Sequence, residues 1–331
     1  MTEDHPTPLI KIALTGATGL LGRAVIAQLG ATPTRLRRIL RPPQQPGADD
    51  AMWNPATLEL EDTALEGVDA VIHLAGESLA GGRWTAARKR RIRDSRVKGT
   101  HLIAQAVARA RPKVFICASA VGLYGPTGET LVDEVSPSGK GFLAEVCEAW
   151  EAAAAPARDA GVRTVFARMG IVLSSSGGAL YQMLPAFRLG LGGPLGPGTQ
   201  YLSWVSLDDA ARALLFLAHD VRQTGPFNIT APEAVTQAAF AETLGRLLNR
   251  PARLRLPASL LRLVFGELAD ATLLCSTRAA PTALLKAGFD FRHPSLETAL
   301  AAAVALPSGT AFGGRLRGPQ SGMTKDSHPR G

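Results

Sequence analysis

"PLIKIALTGATGLLGRAVIAQLGA", Pro8 to Ala31, is the stretch on which the fold turns. A short apolar segment runs into glycines at 16, 19 and 22 and emerges as an amphipathic helical pattern, so it reads as strand, tight turn and helix. In that setting the glycines allow the turn, the approach of backbone N–H groups to a diphosphate and close helix-to-strand packing. The helix N-terminus favours the negative charge. The expected unit is a dinucleotide-binding βα turn.

Outward from that unit, strand and helix keep alternating. "TRLRRILRPP" reads as a second strand stopped by Pro42 and Pro43, and "GVDAVIHLAG", "PKVFICASAVGLYG" and "GVRTVFARMGIVL" as further apolar strands with helical segments between them. Strands apolar on both faces, alternating with helices, imply a parallel sheet covered on both sides. A long helix is expected from about Trp84 to Arg109. Gly177 to Ser203 is read as an irregular loop beside a cleft, because the glycines and prolines of "RLGLGGPLGPGTQYLS" break regular structure. "LDDAARALLFLAHD" then reads as a helix and "GPFNIT" as a strand. After Ala231 four short helical segments follow: Gln237 to Leu248, Ala258 to Phe265, Pro281 to Ala287 and Ser295 to Val304. The fold class expected is α/β, a Rossmann-like doubly wound parallel sheet with a smaller, mainly helical C-terminal substrate region. Its divisions are a flexible N-terminus at 1–9, a nucleotide-binding domain at 10–176, a substrate-cleft and C-terminal region at 177–306 with sheet contributions near 200–230, and a disordered tail at 307–331.

Arg41 stands at the tip of the second strand, where an acid on the ribose 2'-hydroxyl would mark NAD. A guanidinium there pairs with a 2'-phosphate, so NADP(H) is expected over NAD(H).

The net charge of +8 is unevenly spread. Arg83 to Lys98 holds eight basic residues and one acid, and the tail from Pro307 holds four and one, which leaves the rest slightly acidic. Without interleaved aromatics or a base-reading motif, the basic run reads as a solvated helix face rather than a nucleic-acid patch. Three scattered cysteines, Cys117, Cys147 and Cys275, show no metal-ligand spacing and suit a reducing compartment, so no metal is expected. The first residues lack a secretory pattern and no apolar run of about 18 residues follows. The protein is expected to be cytoplasmic, free of membranes, and to act on a small-molecule substrate, with homodimerisation a further expectation.

The blocks "TGATGLLG", "DAVIHLAGE", "GRWTAARKRRIRDSRVKGT", "SAVGLYGP", "GFLAEVCEAWE", "ARMGIVL", "GGPLGPGTQYLSWVSLDDAARALLF" and "FNITAPEAVT" occur in order from Ile10 to about Leu306. Together they resemble the epimerase-like family of atypical extended short-chain dehydrogenase/reductases. The resemblance implies a Rossmann-like domain binding NADP(H) and a substrate cleft beneath a family-specific C-terminal helical region. By it, Gly16, Thr18, Gly19, Leu20, Leu21 and Gly22 form the phosphate loop, Arg41 the ribose-phosphate contact, and Leu74, Ala75 and Gly76 the adenosine and diphosphate edge. Met169, Gly170, Ile171 and Val172 approach the nicotinamide.

Enzymes of this superfamily use a Tyr as acid/base, a Lys four residues on that lowers its pKa, and a Ser or Thr on the substrate oxygen. Here the Tyr and Lys positions fall on Phe142 and Val146. "SAVGLYG" puts Ala120 at the hydroxyl position with Ser119 one residue earlier, and no register restores the pair. Substitutes are Ser119, which binds a substrate oxygen or satisfies a backbone group; Tyr124, a phenol or a structural element; and Glu77, a base or a cap of the "GESLAGG" loop. Cys147 reads as inert core before nucleophile, and His73 as a hydrogen-bonded structural residue before a base. Two functions follow: an epimerase or oxidoreductase on a sugar-nucleotide-like molecule, or a non-catalytic NADP(H)-binding or sensing protein.

Overall fold

A computed structural model of the chain describes residues 11–30 and 34–305. The segments 1–9 and 307–331, read above as flexible and disordered, lie outside the described residues.

Strand β1 (Lys11–Thr15) alternates into two cores, Ile12 and Leu14 on one sheet face and Ala13 on the other. The glycine turn delivers the chain to α1 (Leu20–Leu29), which buries Gly22, Val25 and Leu29. On one side of β1 lie β2 (Arg35–Leu40), β3 (Ala51–Asn54) and β4 (Glu59–Leu60). On the other lies β5 (Ala70–His73), followed by α2 (Ala86–Ala110). Thr85 begins α2 by accepting the Arg88 N–H at 3.2 Å, one of the four N-terminal donors a helix leaves unpaired.

After β6 (Val114–Ala120) come β7 (Leu131–Val132), α3 (Phe142–Ala152), α4 (Ala155–Asp159), β8 (Arg163–Met169), β9 (Ile171–Leu173), α5 (Gly178–Arg188), β10 (Tyr201–Leu202), β11 (Trp204–Ser206), α6 (Leu207–His219) and β12 (Gly225–Ile229). The large sheet has the order β12-β8-β6-β5-β1-β2-β3-β4 and is parallel except between β3 and β4. One core packs α1 and α6 on it, with Leu214 and Leu217; the other packs α2 and α4, with Ile103, Val107 and Ala157. This is the doubly wound Rossmann-like architecture. The strand order reverses at β1, and in such a sheet ligands bind above the carboxyl ends of the strands at the reversal.

The remaining elements are β13 (Val235–Thr236), α7 (Gln237–Leu247), α8 (Ala258–Phe265), β14 (Arg278–Ala279), α9 (Thr282–Lys286) and α10 (Leu296–Ala305). Of these, β13, α7 and α10 join α5 around a third core of Trp204, Phe187, Phe240 and Leu300, while Leu284 of α9 packs into the core shared with α1 and α6.

One expectation is corrected here. Gly177 to Ser203 is not irregular throughout, because α5 occupies its first part and β10 its end. Leu180, Leu184 and Phe187 fall at i, i+4 and i+7 and are all buried. Each such burial is worth about 1.5–3 kcal/mol, which together exceeds the roughly 3 kcal/mol that Pro185 costs inside a helix. The irregular part is confined to residues 189–200.

Candidate functional site

The glycine turn leaves β1 with Gly16 in the left-handed region, φ +69°. A Cβ there would lie 2.9 Å from the Leu74 carbonyl carbon, and one on Gly22 would lie 2.2 Å from the Gly16 oxygen. Only glycine lets α1 and the end of β5 come this close to the turn. Gly19 starts α1 and supplies no side-chain cap, so the first helical N–H groups have no side-chain acceptor at that residue. That is the donor chemistry of a phosphate cradle.

Thr15 fixes the opposite wall. Its hydroxyl oxygen accepts the Leu74 N–H at 3.1 Å and the Ala75 N–H at 3.3 Å, which commits its one proton to His73 Nδ1 at 2.7 Å. His73 is therefore neutral with its proton on Nε2, and Nε2 has no partner among the described residues. Trp53 stands edge-on to the ring at 5.9 Å. Burial pushes the His73 pKa down to about 4. Between about pH 6.5 and 4 the unfolded chain takes up a proton that the folded chain refuses. Stability is thus complete above that window and falls by up to roughly 3 kcal/mol as the pH drops through it. Denaturant melts across this range should show His73→Asn to be less acid-sensitive than the parent; equal slopes would remove His73 from the account.

Gly16, Thr18, Gly19, Arg41, Leu74, Ala75 and Gly76 line one pocket of about 140 Å³. The expected loop, strand tip and edge thus meet at the point where the sheet reverses. Gln44 and Trp53 line it too, and sequence reasoning missed both. Trp53 lies on the short β3, which carries no strong pattern, and Gln44 sits in a proline-rich turn. Leu20, Leu21 and Gly22 sit in the first turn of α1 and do not line the pocket, with Leu20 against Gly177. Met169 ends β8, and Gly170 breaks the strand before Ile171 and Val172 continue as β9. These four do not line the pocket. A larger open groove of about 550 Å³ along α2 and α3, lined by Val97, His101, Leu102 and Ala149, shares no residue with it.

The three catalytic candidates part company. Ser119 donates to Glu151 Oε1 at 2.7 Å. Arg168 grips that carboxylate with two nitrogens, at 2.9 and 3.0 Å, and donates to the Tyr124 oxygen at 2.9 Å and the Glu134 carbonyl at 3.1 Å. Tyr124 in turn donates to Asn228 Oδ1 at 2.8 Å. Ser119 and Tyr124 belong to one buried polar network, and burial holds the Tyr124 pKa above its ordinary value despite Arg168. Glu77 stands apart, part-buried directly after the pocket edge. Its N–H donates to Ser95 Oγ at 3.1 Å, and its carbonyl accepts from Arg96 at 3.0 Å.

At the two positions where Tyr and Lys were sought, Phe142 meets the Trp84 ring at 5.2 Å with Lys89 Nζ 4.5 Å above it, and Val146 is buried. Burial pushes the Cys147 thiol up to about 12, which leaves it protonated and unreactive near neutrality. The basic run is partly used up by the fold itself. Arg88 is buried and donates to the Ser78 carbonyl at 2.7 Å, and Lys89 pairs with Glu267 at 2.7 Å. Among the described residues no His, Cys, Asp and Glu group could hold a metal ion, and no helix is long and apolar enough to cross a membrane.

The profile of the NAD dependent epimerase/dehydratase family matches residues 12–230, and that of a domain of unknown function, DUF1731, matches residues 256–303. An epimerase family protein of Mycobacterium bovis is 45% identical over 297 residues, covering 89% of this chain and 98% of its own. The crystal structure of human epimerase family protein SDR39U1 (isoform2) with NADPH superimposes with a TM-score of 0.83 at 32% identity, over 90% of this chain and all of that one. The nucleoside-diphosphate sugar epimerase from Corynebacterium glutamicum superimposes at 0.74 and 35% identity over 90% of this chain, which spans 59% of that protein.

Proposed function

This chain belongs to the NAD dependent epimerase/dehydratase family, and on that premise we propose that it binds NADP(H), with the diphosphate on the glycine turn and the 2'-phosphate on Arg41. The observation that carries the reading is that one pocket joins the glycine turn, the β5 edge and Arg41. The human relative of known structure was crystallised with NADPH, which supports the same cofactor here. NADPH is expected to bind at least about tenfold more tightly than NADH, and Arg41→Ala to remove most of that preference. Fluorescence titration of both cofactors checks this; equal affinities would restrict the reading to NAD(P) binding without selection.

The proposed reaction class is that of the family, oxidoreduction or epimerisation of a small polar molecule resembling a sugar nucleotide. A bound nicotinamide supplies hydride exchange; proton exchange falls to the side chains. Ser119 and Tyr124 are committed to Glu151, Arg168 and Asn228, so Glu77 is the candidate beside the pocket edge whose carboxylate accepts no hydrogen bond among the described residues, with Arg96 as its nearby cation. Those commitments, with Phe142 and Val146 where Tyr and Lys were sought, also favour the second reading, a non-catalytic NADP(H)-binding protein. Steady-state turnover of any nucleoside-diphosphate sugar would remove that second reading.

A further inference from the structure

After α7 the chain runs from Arg250 to Phe265 as RPARLRLPASLLRLVF, with four arginines and no acid. In α8 Leu261 is buried, while Leu260, Leu263 and Val264 fall at i, i+3 and i+4 on one face and are 43%, 70% and 51% exposed. Leu254, in the extended segment that feeds the helix, is 54% exposed, and Arg253 and Arg255 flank it in solvent. None of these residues lines the pocket of the glycine turn or the groove along α2 and α3.

The ridge is fixed at both ends, so its exposure is not that of a frayed terminus. Just before α8, Leu256 donates its N–H to the Pro194 carbonyl at 2.9 Å and accepts the Gly196 N–H at 2.8 Å. At the far end the Gly266 N–H closes the helix on the Arg262 carbonyl at 2.8 Å, and Glu267 pairs with Lys89 of α2 at 2.7 Å. Arg262 pairs with Asp270, but among the described residues Arg253 and Arg255 have no acidic partner. An apolar ridge bordered by unpaired guanidinium groups is complementary to apolar side chains bordered by carboxylates.

We propose that α8, with Arg253 to Arg255, is a docking face for an amphipathic helix of another protein, apolar along one stripe and acidic along its margins. Charge decides among the candidate occupants. The tail of this chain from Pro307 holds four basic residues and one acid, so the face repels it. A second copy meeting the same face about a twofold axis would set Arg253 and Arg255 against their own counterparts, with no acid in 250–265 to receive them. A bilayer would accept the arginines, but α8 has only 8 residues, and the exposed acids Glu267 and Asp270 at its end would meet an anionic surface. A partner helix needs only the short ridge that α8 offers, anchored at i, i+3 and i+4.

The test uses a fluorescein-labelled designed helix of about 18 residues with a leucine stripe and glutamate margins, and a counterpart with lysine margins. By fluorescence anisotropy the full chain should bind the glutamate peptide at least about tenfold more tightly, and raising the salt from about 50 to about 500 mM should remove most of that preference. Leu263→Ser/Val264→Ser should weaken the glutamate peptide by about 10-fold or more, and Arg253→Gln/Arg255→Gln by about 3- to 10-fold. All four side chains are exposed, so the thermal melts and NADPH titrations of both variants should match those of the parent. Equal binding of the two peptides, or binding that survives both double substitutions, overturns the proposal. Two further results overturn it by naming another occupant. A concentration-dependent dimer in analytical ultracentrifugation that Leu263→Ser/Val264→Ser abolishes assigns the face to a second copy. Co-sedimentation with vesicles of phosphatidylcholine and phosphatidylglycerol at about 7:3, lost in the same variant, assigns it to a membrane surface.

Discussion

Arg168→Met is expected to destabilise the folded protein by about 3–5 kcal/mol, the cost of stranding a buried partner charge. Arg168 and Glu151 are 9% and 15% exposed at their side chains, so solvent replaces little of what is lost. The substitution leaves Glu151 Oε1 with Ser119 alone and Oε2 without the Arg168 donor, and withdraws a donor from Tyr124 and from the Glu134 carbonyl. The pair is strongly coupled. Burial alone would lower the Arg168 pKa, and the bidentate bond to Glu151 more than reverses this. The midpoint of thermal unfolding should fall by roughly 5–10 °C in a chain of this size. The double variant Arg168→Met/Glu151→Leu should recover at least about half of the loss, since two apolar groups leave no charge stranded. If the single variant melts with the parent, the network adds nothing to stability and the argument from stability against Ser119 and Tyr124 falls.

The network also bears on what those two hydroxyls can do. Tyr124 lies across the sheet from Asn228, whose amide N–H2 donates to the Ala280 carbonyl at 2.8 Å and whose backbone N–H donates to Glu134 at 2.9 Å. Glu134 in turn accepts the Ala283 N–H at 3.1 Å. A chain of satisfied groups thus ties β6, β8 and β12 to the C-terminal residues around β14 and α9. Drawing a proton from Tyr124 would break a bond that helps to hold the two regions together. A group with such a duty is a poor acid/base, and this is why Glu77 carries the catalytic reading.

Local signals in the sequence sufficed for the elements that frame the cradle. The β1–turn–α1 unit, the apolar β5, β6 and β8, and the helices α6 and α7 each bury a periodic face, and a periodic face is visible in one segment alone. The α5 helix was hidden because its glycine neighbours and Pro185 are strong local breakers, and only the distant core that receives Leu180, Leu184 and Phe187 outweighs them. The β3–β4 pair was missed for a related reason, being short and bounded by turns. At the site, Gly16 and Gly19 announce themselves. The partners of Ser119 and Tyr124 do not, for Glu151 lies 32 residues and Asn228 104 residues along the chain from them. Arg88 is one of eight basic residues in a run that reads as solvated surface, yet it is buried against the Ser78 carbonyl. Its distinction lies in what packs around it, and no spacing rule records that.

Gly19→Asp is expected to separate cofactor binding from stability, with opposite signs. Gly19 precedes the first turn of α1 with φ −74° and ψ 171°, an extended backbone that aspartate adopts without strain. Its new Cβ would stand 3.2 Å from the Gly16 oxygen, a tight contact that a shift of a few tenths of an ångström relieves. Aspartate at this position is a strong helix N-cap, accepting the same N–H groups that the cradle offers a phosphate, and is worth roughly a few tenths of a kcal/mol more than the glycine it replaces. The carboxylate therefore acts as a tethered competitor for the anion site. Like charges about 5 Å apart at an effective dielectric constant of about 20 repel by roughly 3 kcal/mol, so NADPH affinity should fall by about 100-fold or more. The ligand-free melting midpoint should stay level or rise slightly. Gly22→Ala is the contrasting case: a Cβ 2.2 Å from a backbone oxygen must move α1 itself, so stability and binding are lost together. Thermal melts with and without NADPH distinguish the two variants, and undiminished NADPH binding by Gly19→Asp would remove the glycine turn from the cofactor site.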